Sequence, residues 1–298
     1  MVVCLEPQPG SIKFPLLCTI NKRKVGHQNS ILFRNKIKRP GKLKTDNCLT
    51  VLEIIYEDAQ YVAINKPNGL LVHRTRIAEE KKEFALQLLR DQLGYRLYPL
   101  HRLDRGTSGV LLFAKTPEAA APLVQAFSER QPDKTYFAVI RGYAPESGTI
   151  NNPIRPDKDH AHKEAQEAIT HYVRLATVEL PIPVGPYGTA RYSLVKIKPE
   201  TGRMHQIRKH FAHLRHYIIG DKKHGDWRHN RMFLDELGSA SLLLHAAALQ
   251  FEHPFTEATI TIKAQLPANF CRLCQQFSWS AVLATQDVLP QPVPLVWE

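Results

Sequence analysis

The chain has 298 residues and a mass of 33.9 kDa, with 43% hydrophobic and 23% charged residues, the proportions of an ordinary soluble globular protein with enough length for one large core or two modest ones. No apolar run approaches the eighteen or more residues of a membrane span, and the apolar stretch Phe14 to Ile20 has most of its neighbouring bases after it and no small-residue cleavage site, which argues against a secretory signal. The net charge of +12 points to a polyanionic partner, yet it is unevenly placed: residues 1–50 hold ten lysines and arginines against two acids, leaving +4 for the rest. Five cysteines, three of them before residue 50, exclude a disulfide framework and fit a reducing, cytoplasmic setting. The Cys271-Arg-Leu-Cys274 spacing occurs in zinc and redox sites, but no second pair follows, so these are expected to be thiols on a helix, without a metal.

Residues 1–50 mix prolines, bases and scattered apolar residues without a period and are expected to be a poorly ordered basic leader. Such a leader could be an RNA-binding arm, or a stretch that is not translated: there is no Met between Met1 and Met204, and Val51 is a candidate valine-codon start. One folded domain is expected over 51–280 and a loose, proline-containing tail over 281–298. Val51–Tyr56 and Tyr61–Ile64 read as strands around a Glu57-Asp58 turn, and Asn65–Gly69 as a loop. Glu80–Leu93 shows an approximate helical face ended by Gly94. Val110–Ala114 is a buried-type strand, after which Thr116 and Pro117 open a helix running to about Arg130.

Lys134–Ile140 alternates like a strand, and the charged segment Asn151–Ala168 is expected to loop out. Ile169–Glu179 and Ala190–Lys198 form a second strand pair across a Pro/Gly-rich connection. Thr201 is the expected cap of a helix over Arg203–Leu214; Ser241–Phe251 and Thr259–Ala264 are late strands, followed by a helix over Ala268–Phe277 and a proline-rich end from Leu289. With strands outnumbering helices and many neighbours antiparallel, the fold class is α+β.

The candidate chemistry centres on His101-Arg-Leu-Asp-Arg-Gly-Thr-Ser-Gly109, where Asp104 stands between two guanidinium groups on a tight loop before a strand. Taken alone, this describes a hairpin turn as well as a presented nucleophile. His210, His213 and His216 lie three apart on the expected helix, but their neighbours are Arg208, Lys209 and Arg215, which favours a cationic face over a metal site. Lys222, Lys223, His224, Arg228 and Arg231 continue that face, with Tyr217 and Trp227 available for stacking on bases.

Taken together in order and spacing, Asn65-Lys-Pro-Asn-Gly69 with Val72-His73, the 101–109 block, Lys134-Thr-Tyr136, Thr201-Gly-Arg-Met-His-Gln-Ile-Arg208 and Ile219-Gly-Asp221 resemble the RluA-type pseudouridine synthases. The resemblance spans about Val51 to Ser278. It implies the pseudouridine synthase fold, a mixed, mostly antiparallel sheet flanked by helices and loops around a catalytic cleft, and an isomerase that needs no cofactor. By the same resemblance Asp104 is the catalytic carboxylate, as nucleophile or as base toward a sugar proton. Arg208 is its counter-charge, and Tyr136 is a catalytic candidate that stacks on the target base and could handle a proton. Arg102 fills the gap left when the uridine flips out of a paired stem. Arg203, His205, Lys209, Lys222 and Lys223 complete the expected RNA-binding set.

Within the family, the wording at 211–231 resembles members that modify uridine 65 of tRNA, so tRNA is the expected partner. Ribosomal RNA is the rival substrate. An aspartate-dependent nucleosidase and a non-catalytic RNA-binding module are rivals of other classes.

Overall fold

The computed structural model describes residues 51–73, 83–155 and 164–286. The leader, residues 156–163 of the charged segment, the start of the helix expected from Glu80, and the proline-rich end from Leu289 lie outside the described residues. Among the described residues ten strands share one sheet: β1 (Ile54–Glu57), β2 (Tyr61–Lys66), β3 (Tyr98–Pro99), β4 (Ser108–Ala114), β5 (Asp133–Arg141), β6 (Ser147–Asn151), β7 (Ile169–Leu180), β8 (Ala190–Pro199), β9 (Leu244–Glu252) and β10 (Thr259–Lys263). Their order is β1-β2-β4-β9-β5-β8-β7-β6, with β10 also on β9 and β3 also on β4. The β4–β9 pair is parallel and the other pairs are antiparallel. Among the described residues six helices accompany the sheet: α1 (Ala85–Leu93), α2 (Pro117–Ser128), α3 (Gln206–His213), α4 (Trp227–Leu237), α5 (Ala268–Gln276) and α6 (Ser280–Ala284).

Both faces of the sheet are covered, which is why the central strands are apolar runs rather than alternations. In β2 and β4, Val62, Ile64, Leu111 and Phe113 face α1 through Ala85 and Leu89, while Tyr61, Ala63, Val110 and Leu112 face α2 through Ala119 and Leu123. The same two-sidedness holds in β5. Phe137 and Val139 meet Phe233 of α4 and Phe270 and Leu273 of α5; Ala138 and Ile140 meet Ile207 and Phe211 of α3. This α+β sheet matches the architecture expected from the sequence.

Local chemistry explains both the agreements and the departures. α2 begins where expected, with Thr116 accepting a hydrogen bond from the Ala119 amide at 3.2 Å and Pro117 in the first turn. α1 ends at Gly94 in the left-handed region, φ 78°. α3 is shorter than expected and Thr201 does not cap it. The Thr201 hydroxyl instead donates to Gln206 Oε1 at 2.6 Å and accepts from the Ile169 amide, while His205 precedes the helix with φ 57° and no side-chain cap. β6 and α4 escape a hydrophobicity reading. β6 pairs with β7 at the sheet edge and buries only Ile150, and α4 buries three residues, His229, Met232 and Phe233, while its Trp227 and Leu234 are exposed. α6 carries ordered packing past residue 280, because Leu283 is fully buried against the α4–α5 cluster.

The parallel junction of β4 with β9 depends on Gly109. Its φ is 111°, and a Cβ there would lie 2.0 Å from the Ala246 carbonyl oxygen. Gly109→Ala is expected to destabilise the fold by about 2–4 kcal/mol, combining backbone strain with a forced shift of β9. Denaturant unfolding of the two proteins measures this directly, and a loss under about 0.5 kcal/mol would show that β9 yields freely.

Candidate active site

Asp104 sits in the loop between β3 and β4, at the wall of a cleft of about 440 Å³ lined by residues 100–104, the end of α2, Tyr136 of β5, residues 199–208 and Leu244 of β9. The loop is closely held. The Thr107 amide donates to the Asp104 carbonyl at 3.1 Å, and His101 accepts from the Leu112 amide at 3.1 Å through Nε2 while stacking on Phe127. Burial pushes His101 down to about 4, so its ring remains a neutral acceptor.

The Asn65–Gly69 block serves as the loop's other clamp. Lys66, at the end of β2, is 0% exposed, and its Nζ donates to the carbonyls of Pro67 and Leu70 at 2.9 Å and of Arg105 at 3.4 Å. Burial pushes this ammonium down to about 7, and the negative Asp104 nearby opposes that shift. Asn68 donates to the carbonyls of Gly106 and Leu242, and Gly69 and Arg105 exchange two further hydrogen bonds. The carboxylate is thus presented on a braced loop.

Arg208 projects from α3 between two carboxylates. Its Nη1 donates to Asp104 Oδ2 at 2.9 Å, while Nε and Nη2 make a two-pronged pair with Asp221 Oδ2 and Oδ1, each at 2.7 Å. The Asp221 side chain is 1% exposed and that of Asp104 is 16% exposed. Burial works against the Arg208 charge, and the hydrogen bonds to Asp221 and Asp104 more than offset it. Burial likewise raises the Asp221 carboxyl, but Arg208 and the amides of His224 and Lys223 hold it below its usual range. Asn230 of α4 ties this turn down through the Gly220 amide and the Asp221 carbonyl.

Two histidines complete the surroundings. His205 Nε2 lies 3.8 Å from Asp104 Oδ1, and His205 Nδ1 is hydrogen-bonded to His224 Nε2 at 3.0 Å. Tyr136 is partly buried against both the α3 and α1 core clusters, and burial together with Asp104 raises its phenol well above the usual value, so it retains its proton.

Of the residues singled out in the sequence, Asp104, Tyr136, Arg208, Arg102, Arg203 and His205 line the one cleft, with Arg102 exposed. Lys209, Lys222 and Lys223 lie apart from its lining: Lys209 donates to the Arg155 carbonyl, and Lys222 and Lys223 are exposed on the turn before α4. The expected cationic histidine face is corrected in part. His210 is buried between Thr170 Oγ1 and the Asn152 carbonyl, and burial lowers its basicity; His213 is exposed, and His216 contacts the Arg141 carbonyl. Trp227 is 71% exposed with Arg228 over its ring. Among the described residues no group of three or more His, Cys, Asp or Glu could hold a metal ion, and Cys271 and Cys274 are free thiols on α5.

Asp221 and Lys66 were not assigned a role from the sequence, and His224, read there as part of the cationic face, is instead bound to His205. Asp221 and Lys66 do fall inside blocks of the resemblance, and that was their available signal. The chain matches the RNA pseudouridylate synthase family over residues 60–213. It is 46% identical over 239 residues to tRNA pseudouridine synthase C of Vibrio parahaemolyticus, covering 78% of this chain and 97% of that protein. It is also 46% identical over 239 residues to tRNA pseudouridine synthase C of Yersinia pestis, covering 78% and 93%. Among solved structures it is similar in fold to human RNA pseudouridylate synthase domain containing 1, with a TM-score of 0.59 and 24% identity over 83% of this chain and 98% of that one.

Proposed function

Because this chain belongs to the RNA pseudouridylate synthase family, we propose that it isomerises uridine to pseudouridine in tRNA, at position 65, in the cytoplasm, with Asp104 as the reacting carboxylate. The observation that carries this reading is the 2.9 Å pair between Arg208 and Asp104 at the wall of a cleft also lined by Tyr136. The reaction breaks the bond from N1 of uracil to C1′ of ribose, turns the base and rejoins it through C5. Asp104 attacks C1′ or removes a sugar proton, and in either case Arg208 keeps a positive charge against the carboxylate while the base is detached.

Tyr136 offers its ring as a stacking surface for the loose base, and its protonated phenol suits hydrogen-bond donation. Arg102, exposed at the cleft, fills the gap in the stem from which the uridine is drawn, offsetting part of a flipping cost of a few kcal/mol. Arg203 at the cleft and Lys209, Lys222 and Lys223 beyond it supply contacts to the RNA backbone, which position the stem without reading its sequence. Residues 1–50, where they are translated, are a basic arm that adds charge toward the RNA backbone, and 51–280 together with the packed α6 forms the catalytic domain.

The test is the purified full chain on an unmodified tRNA transcript and, in parallel, a ribosomal RNA fragment, with pseudouridine mapped by chemical probing. Pseudouridine at position 65 of the tRNA is expected, with none in the ribosomal fragment. Modification of the ribosomal fragment alone would reassign the substrate. Release of free uracil would make the protein a nucleosidase, and binding without any product would make it an RNA-binding module.

A further inference from the structure

Rejoining uracil through C5 leaves that carbon holding both its new bond to C1′ and its original hydrogen, which must depart before the product is aromatic. Tyr136 is a poor acceptor because it holds its own proton, and Arg208 is a cation. We propose that His205 is the base that removes the C5 proton and that His224 relays it to solvent. The inference rests on the isomerase reading and adds a catalytic residue to it.

Three features of the geometry support it. His205 Nε2 lies 3.8 Å from Asp104 Oδ1, within the cleft where Asp104 addresses the ribose and where C5 arrives when it rejoins C1′. The ring reaches that place because His205 takes a left-handed conformation, φ 57°, immediately before α3 instead of lying on the helix surface. Its side chain is 17% exposed, and its other nitrogen is bound to the half-buried His224, which gives a path outward. Burial lowers His205 to about 4; Asp104 opposes this, while Arg208, His224 and Lys223 reinforce it. The ring is therefore neutral and able to accept.

The step balances with no added reagent. The step starts from the tautomer in which His205 keeps its proton on Nδ1, hydrogen-bonded to His224 Nε2, so that the Nε2 lone pair faces the substrate. When the C5–H bond breaks, its electron pair closes the C5–C6 double bond, the N1–C6 π pair moves onto N1, and N1 takes a proton from water. The C5 proton lands on His205 Nε2 beside the Asp104 carboxylate, which stabilises the imidazolium as it forms. His205 then passes its Nδ1 proton to His224, and His224 releases its own to water.

The experiment compares the parent, His205→Gln and His224→Gln on three tRNA transcripts containing ordinary uridine, 5-deuterouridine or 5-fluorouridine. On ordinary tRNA, His205→Gln is expected to slow product formation by about a hundredfold or more, the range for a lost general base. Its deuterium isotope effect should exceed the parent's, because C5–H cleavage becomes limiting, and His224→Gln should show the same signature more weakly. On the 5-fluoro substrate there is no C5 proton to remove, so the slowing of the variants relative to the parent should largely disappear. Equal slowing of the variants on the fluoro and ordinary substrates, or no increased isotope effect in either variant, overturns the proposal and leaves His205 as a residue that positions Asp104. A parent that makes no pseudouridine overturns the isomerase reading instead.

Discussion

Asp104→Ala is expected to lower pseudouridine formation by about four orders of magnitude or more, the scale on which loss of a reacting side chain acts in other enzymes. Stability should barely change, by less than about 1 kcal/mol, because Asp104 is partly solvent-exposed and Arg208 retains its two-pronged pair with Asp221. Single-turnover chemical mapping of the product, run beside thermal unfolding of the same preparations, reads both quantities. A variant within tenfold of the parental rate would remove Asp104 from the reaction. A large fall in thermal midpoint would show that the carboxylate braces the loop as well.

Arg208→Met should behave differently, losing both stability and rate. Asp221 is 1% exposed and relies on Arg208 for its counter-charge, so its carboxylate is left buried and unpaired, at a cost of about 3–5 kcal/mol. Adding Asp221→Asn to Arg208→Met removes that charge while keeping an oxygen to accept the Lys223 and His224 amides. The double variant is expected to recover most of the lost stability. Its rate should remain at the level of the single variant, because Asp104 still lacks its guanidinium. Recovery of rate along with stability, measured by denaturant unfolding and product mapping, would mean that Arg208 serves the fold alone.

The parts of the fold that were legible in the sequence are those whose burial is two-sided. Val110–Ala114 could be read as a strand because every residue of β4 is buried, and the Thr116-Pro117 pair marked the start of α2 by its own chemistry. β6 and α4 could not be read this way, since one is held by backbone bonds at an edge and the other rests on three buried residues. The site was legible only as a set of blocks. Asp104 and Arg208 lie 104 residues apart, and no local period foretells their contact. Lys66 looks in sequence like any solvated lysine; three backbone carbonyls converging on its Nζ give it a buried place. Thr201 misled because a hydroxyl before a helix usually caps it, whereas Gln206 captured this one.

The parallel pairing of β4 with β9 bears on how the chain is made. Ser108 of β4 meets His245 across 137 residues of sequence, and closing so long a loop is slow compared with forming the local hairpins of β1–β2 or β7–β8. A growing chain therefore carries Asp104 well before the strand that supports its loop has been synthesised. The cleft is completed late, when the sheet closes, and partly made or truncated chains hold the Asp104 loop without the strand that β4 pairs with.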